Sequence, residues 1–463
     1  MKNGILRSGA ALGLALLAAG PLHGQGSSVY TQSACLSARG QAGVAATCKD
    51  GSSIYYNPAA IVLAPGAVGA GLTVIYNGGN FAYDSTGVVV KRDAAAPIVP
   101  HAYVTYPIND RLAVGAGLFA PYGLTIEWPQ NTFEGRFMSW KTALQGIYIQ
   151  PTVAYDLVPG RLSVGAGLDI VLGGIEFNQH IDGPIQDVSL ASLGVPPGTD
   201  IAAARLKGSG TGIAFNVGVL AQLGDRLSIG ARYMSASRVS LDGTATFRQI
   251  ATGRTLAMPA SLLDPSLTGD TIVPLDALVA PEFQAGGALS DQTVKSEITL
   301  PPQAVVGLRF QATGKLQLLA DAQWSGWHTF DQLNAQFQYA PELRMVLAYK
   351  DAYTYRLGAE YDLSDGLALR GGWSYNTAAT PDRTVTPILP EAARDIGMAG
   401  LGYTTGRLTI DMFYNYVRQA DRRGRVRDKW VTTVPISTLN VGVYHTFAHL
   451  VGVTLGYRIG PAR

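Results

Sequence analysis

Charge is sparse in this chain: 15% of its 463 residues are Asp, Glu, Lys or Arg, where soluble domains carry about 25%. Much of its surface therefore need not face water. Long apolar runs are also missing. Beyond the N-terminal segment none approaches the roughly 20 residues a membrane helix needs, so a membrane protein of this sequence must span by strands. Neither sign of charge dominates, with 35 basic against 33 acidic residues and a net charge of +2, which argues against a nucleic-acid partner. The one basic run, Arg422 to Arg427, reads as a solvated loop before it reads as a contact for anionic lipopolysaccharide. Cysteine occurs only at Cys35 and Cys48, with no His nearby, so no metal site is expected, and no motif calls for a cofactor.

Lys2 and Arg7, an apolar stretch from Ala10 to Ala19 and the small residues Gly20, Gly24 and Gly26 describe a secretory signal. Residues 1–24 are the expected leader, with cleavage before Gln25 or Ser27. Export to an oxidising compartment makes a Cys35–Cys48 disulfide the expected state, two free thiols being the alternative.

What is present is a rhythm of turns. Six short polar turns each run into an alternating strand: Asp110-Arg111-Leu112, Gly160-Arg161-Leu162, Asp225-Arg226-Leu227, Gly314-Lys315-Leu316, Asp365-Gly366-Leu367 and Gly406-Arg407-Leu408. Much longer polar segments join the other ends of these hairpins, near 120–145, 176–209, 238–298, 326–350, 377–393 and 419–438. From Val441 to Ile459 the odd positions include Phe447, Val451, Leu455 and Tyr457, against Gly442, Thr446, Gly452 and Thr454 at even ones. One face suits lipid and the other a polar lumen. Twelve hairpin strands, an opening strand near Ala67–Tyr83 and the closing strand predict an all-β transmembrane antiparallel barrel of about 14 strands, its short turns periplasmic. Residues 64–463 form that barrel.

Residues 25–63 read as an N-terminal plug folded into the lumen. Lumen-side glycines such as Gly115, Gly117, Gly165, Gly167, Gly218 and Gly230 leave room for it, unless they serve strand curvature. The largest loops, 176–209 and 238–298, exceed the length of a featureless connection. The second carries Leu256, Met258, Leu262, Leu263 and Phe283 among four prolines. It reads either as a small local core or as an exposed apolar groove that catches a greasy ligand.

Gly40-Gln41-Ala42-Gly43-Val44-Ala45-Ala46 followed by Ser53-Ile54-Tyr55-Tyr56-Asn57-Pro58-Ala59, then Tyr122-Gly123-Leu124, Leu300-Pro301-Pro302, Trp324-Ser325-x-Trp327-x-x-Phe330, Lys350-Asp351-Ala352-Tyr353 and Ile388-Leu389-Pro390, resemble the FadL-type family of outer-membrane transporters. The resemblance spans nearly the whole mature chain, and Asn57-Pro58-Ala59 is its most specific piece. It implies a plugged barrel in the outer membrane of a Gram-negative-type bacterium, a monomer among outer-membrane lipid and lipopolysaccharide. Its ligand would be a hydrophobic small molecule, a long-chain fatty acid or an aromatic hydrocarbon, caught by outer loops and released sideways through the wall. Two cations near a bound carboxylate are implied. One survives as Lys350, while the stretch after strand five reads Phe177-Asn178-Gln179-His180 without Arg or Lys. Arg356, at lumen parity, is the substitute second cation, and a barrel ion pair with Asp351, Glu360 or Asp362 is the structural alternative for both. Phe177, His180, Leu262 and Phe283 complete the expected ligand contacts. The tail departs from the family pattern, continuing past Tyr457 to Arg463.

Two other functions make different demands on the sequence. A lipid hydrolase needs a Ser and His pair, yet no Ser is placed by any motif beside His445 or His449, so no catalytic residue is assigned. A general porin fits the lumen-parity charges Arg232, Arg309, Arg370, Asp169, Asp321 and Asp411 but not a plug.

Overall fold

The structure, a computed structural model, describes residues 28–93, 95–182, 194–196, 198–262, 265–266, 268–426 and 441–459. The expected leader, the basic run beyond Val426, Leu263 and the C-terminal tail lie outside them. Fourteen antiparallel strands close into a barrel. They are β1 (Ala67–Tyr83), β2 (Ile98–Pro107), β3 (Leu112–Glu127), β4 (Lys141–Val158), β5 (Leu162–Ile181) and β6 (Ala202–Gln222). Next come β7 in two runs (Leu227–Met234 and Ser237–Gln249), β8 in two runs (Gln292–Leu300 and Gln303–Gln311), β9 (Leu316–Ser325) and β10 (Ala352–Ser364). The series ends with β11 (Leu367–Asn376), β12 (Arg394–Thr405), β13 (Leu408–Gln419) and β14 (Gly442–Arg458). β14 pairs along its whole length with β1, from Ala67↔Arg458 to Tyr83↔Gly442, so the sheet has no free edge there.

All six short turns fall where the sequence placed them. Gly160 and Gly406 take φ of 67° and 56°, a left-handed conformation that other residues adopt at a cost. The alternation also holds: Phe447, Val451, Leu455 and Tyr457 are exposed outward, while Tyr444, Ala448 and Thr454 are buried inward.

The connections at the opposite end need correcting. Residues 120–127 continue β3, 176–181 and 202–209 belong to β5 and β6, and 238–249 and 292–298 to β7 and β8, leaving 182–201 and 250–291 as the long connections. Above the hydrocarbon a strand has water on its outer face, so the apolar–polar alternation lapses while the ladder continues. Arg238–Glu297 and Lys295–Asp242 pair across that exposed outer face of β7 and β8.

The segment from Ser28 to Leu63 fills the lumen. Helix α1 (Ala34–Ala38) is capped by Ser33, whose hydroxyl also meets Asp50 at 2.5 Å. Helix α2 (Ser53–Tyr56) leads into a 3-10 helix, Pro58–Leu63. Asn57 joins the two: its Oδ1 accepts from Ala59 N at 3.1 Å, and its Nδ2 donates to Val44 O at 2.6 Å and to Val219 O in the wall at 3.0 Å. Pro58 sits at the first helical position, where its missing N–H costs nothing. Cys35 and Cys48 are joined in a disulfide.

Wall side chains hold the plug by its backbone. Asp321 Oδ2 accepts from Gly43 N and Val44 N at 2.9 and 3.2 Å, Arg232 Nη1 donates to Tyr55 O at 2.9 Å, and Gln150 Nε2 to Ile54 O at 3.0 Å. Close approach requires glycine opposite. A Cβ at Gly218 would overlap Asn57 Oδ1, one at Gly165 the Pro58–Ala59 peptide, and one at Gly230 the Val44 carbonyl. The lumen glycines thus make space for the plug.

Candidate functional site

Above the plug lies a pocket built from the family-like stretches. Tyr30 of the N-terminal segment forms part of its lining, with Trp327, Tyr349, Thr380, Leu389 and Arg394. Trp327, Phe330 and Tyr349 pack edge to face or tilted, with ring centroids 5.6–6.1 Å apart. The polar end is Arg394, with Nη2 3.4 Å from Glu391 Oε1, and Glu391 Oε2 accepts from Ala379 N and Thr380 N at 3.0 Å. Ser28, Thr354, Asn376 and Thr377 also line it, so the pocket sets an aromatic side against a polar one.

The cations expected from the sequence are not brought into this pocket. Lys350 is exposed. Its neighbour Asp351 instead accepts from Trp324 Nε1 at 3.0 Å and meets His328 Nδ1 at 2.5 Å. Arg356 is buried against the N-terminal segment, with its guanidinium 4.6 Å from the Tyr30 ring centre and Nη2 2.6 Å from Gln323 Oε1. Glu360 pairs with Arg370 and Arg39 rather than with Arg356. No spacing in the sequence marks Arg394 and Glu391. Their position beside Ile388-Leu389-Pro390 was the available signal.

The remaining candidates divide. Phe177 is buried in a separate apolar groove, lined also by Leu206, Leu241, Val294, Leu343 and Met345, between the upper wall and the strands Gln332–Phe337 and Leu343–Val346. His180 turns to a loop: its Nδ1 lies 2.8 Å from Asp200 Oδ1, and Arg136 grips both Asp200 oxygens at 2.9 and 3.0 Å. Burial pushes the Asp200 carboxyl up, but the hydrogen bonds from Arg136 and His180 outweigh it and hold the group below the ordinary carboxylate value. Leu262 ends the turn Ala260–Leu262. Phe283 packs against Val195, Ile201, Leu256, Leu275 and Val279. Of the two readings of the long connection, that local core is the one observed.

Below the plug the surroundings reverse. Arg39, Lys49, Lys315, Glu360, Asp362, Arg370 and Asp411 line a cleft at the short-turn mouth. Arg370 bridges Glu360 and Asp411 at 2.5 Å each. A hydrophobic molecule leaving that way would cross a charged, wet vestibule.

The wall itself is interrupted beside β3. The β2–β3 ladder ends at Ala102↔Leu118, although β2 begins at Ile98 and β3 runs to Glu127. Against β4, the register of β3 shifts between Phe119 and Tyr122, an extra residue of the bulge type. From Phe119 to Ile126 every residue is buried, where a wall strand should alternate, so β3 is bent inward. The N-terminal segment docks on the bend. Val29 N donates to Pro121 O at 2.8 Å, and the Gln32 amide donates to Ala120 O at 2.7 Å and accepts from Ala120 N at 3.1 Å.

The histidines of the closing strand form other contacts. His445 Nδ1 lies 2.6 Å from Asp421 and His449 Nδ1 2.8 Å from the Tyr414 hydroxyl, facing outward.

Comparison with known proteins points the same way. The model of the outer membrane protein transport family (OMPP1/FadL/TodX) matches residues 15–459. Outer membrane protein P1 of Haemophilus influenzae is 25% identical over 384 residues, 78% of this chain and 74% of that protein. A long-chain fatty acid transport protein of Escherichia coli O6:H1 is 25% identical over 401 residues, 82% and 83% of the two chains. In fold, a FadL homologue of Pseudomonas aeruginosa superposes with a TM-score of 0.76 at 19% identity, covering 94% of this chain and 99% of that one. The toluene transporter TodX of P. putida gives 0.66 at 16% identity, covering 89% and 95%.

Proposed function

The chain belongs to the OMPP1/FadL/TodX family of outer membrane transport proteins, and from that premise we propose that it is a passive channel for hydrophobic compounds, long-chain fatty acids included, which leave sideways between β2 and β3. The broken β2–β3 ladder carries this reading, because it lies level with the docked N-terminal segment. Ligand is caught in the apolar groove at Phe177, passes to the pocket over Tyr30, and departs along the bend of β3.

The energetics favour a covered route. Exposing each methylene to water costs about 0.8 kcal/mol, so a ten-carbon tail drawn through the charged lower mouth would face a barrier of roughly 8 kcal/mol. A sideways exit passes the tail from protein to lipid with its apolar surface always covered. The polar end of the pocket, Arg394 with Glu391 and Thr380, suits an amphiphile, so fatty acids lead aromatic hydrocarbons as the substrate class.

Deleting Pro121 removes the extra residue of the bulge and lets β3 run straight. The barrel should still show its heat-dependent gel mobility, while uptake of a fatty acid by whole cells falls at least tenfold. Unchanged uptake through an intact, straightened barrel would refute lateral exit.

A further inference from the structure

Arg92 is a buried cation that the pocket does not use. It lies in the coil between β1 and β2, nine-tenths buried, with its N–H bonded to Gly79 O at 3.0 Å and the next residue, Asp93, bonded to Glu127 O at 3.1 Å. These two bonds pin it over the end of β3, just above the wall gap. Its Nη2 donates to Asn77 Oδ1 at 3.2 Å, and its guanidinium stands 5.8 Å from the Trp128 ring centre. No carboxylate among the described residues pairs with it. Its Nε is shielded and has no acceptor, and neither has the Nδ2 of Asn77, itself 1% exposed. Thr446, opposite Gly79 in the β1–β14 ladder, adds a shielded hydroxyl without a partner.

Buried donors lacking acceptors, one of them charged, are strongly unfavourable unless something supplies the missing anion. The surroundings say what kind of molecule could. Trp128 stacks on Phe133 at 4.5 Å, Phe81 meets Tyr444 at 4.5 Å, and Phe81 lies 6.0 Å from Phe133. A donor cluster beside an aromatic wall matches an amphiphile with an anionic head and an apolar tail. Arg394, by contrast, already has Glu391 beside it.

We propose that Arg92 and Asn77 form a headgroup site for a carboxylate amphiphile at the upper edge of the β2–β3 gap. This rests on the channel reading. It adds a step to it: the head is held at the gap while the tail turns along Trp128 toward the wall.

The test titrates purified full-length protein in detergent with hexadecanoic acid and with hexadecanol, which share a tail and differ in the head. Wild type should bind the ionised acid about tenfold more tightly than the alcohol. Arg92→Gln should abolish that preference and leave alcohol affinity within about twofold, as expected when only a head contact is lost. Arg92→Lys keeps the charge without the fork and should lose part of the preference; it replaces the Gln variant if heat-dependent gel mobility shows that Gln prevents folding. A variant that keeps the full preference, or loses both ligands equally, overturns the headgroup site. Wild type that binds both ligands alike leaves the channel reading standing and removes this one, whereas wild type that binds neither removes both.

Discussion

Asp200 ties two connections to the upper barrel, and its chemistry fixes the pH at which the tie fails. The carboxyl is held below its ordinary value of 3.8 by Arg136 and His180 against the opposing effect of burial. A depressed folded value means the stabilisation is complete above the unfolded value and is lost as pH falls through the folded one. The window therefore lies on the acid side of 3.8. A spin label at exposed position 196 should stay immobile at neutral pH and loosen only under such acid conditions. Asp200→Asn should be looser at neutral pH and show no acid transition. The sequence marked His180 as a ligand contact, because nothing in the order of residues brings Asp200 or Arg136 to it. Asn57 was readable, since an Asn before Pro signals a capped turn wherever it stands, but its reach to Val219 depends on the closed barrel.

Strands and plug are matched through the glycines that separate them. Gly218→Val would press against Asn57 Oδ1 and Pro58 Cδ, and overpacking of this kind typically costs about 1–3 kcal/mol. The plug should loosen, which single-channel recordings would show as larger currents. Gly397→Ala, on the outer face of β12 with nothing within 4 Å, should leave conductance unchanged. Equal behaviour of the two variants would mean the glycines set curvature instead. The barrel was legible because short turns and a period of two repeat in every hairpin. The strand extensions above the membrane were not, since polar surroundings on the outer face erase the alternation there. The bend in β3 had one local signal, Pro121 within a strand, whose meaning depends on the ladder it interrupts.

As a whole the molecule carries charge below its plug and, among the described residues, a break in the β2–β3 ladder beside it. In the route proposed above, that contrast turns a hydrophobic ligand away from the lower mouth and toward the bilayer. The disulfide, the Asn57 cap and the wall contacts of Asp321 and Arg232 keep the plug seated. The route is tested most directly by a photoreactive residue placed at Val99 on the gap, at Leu308 on the outer face of β8, or at Lys315 at the lower mouth, with radiolabelled fatty acid supplied to intact cells. We expect label at position 99, lost when Pro121 is deleted, and background at 308 and 315. Label at 315 with none at 99 would mean that ligand passes the plug, and would contradict lateral exit.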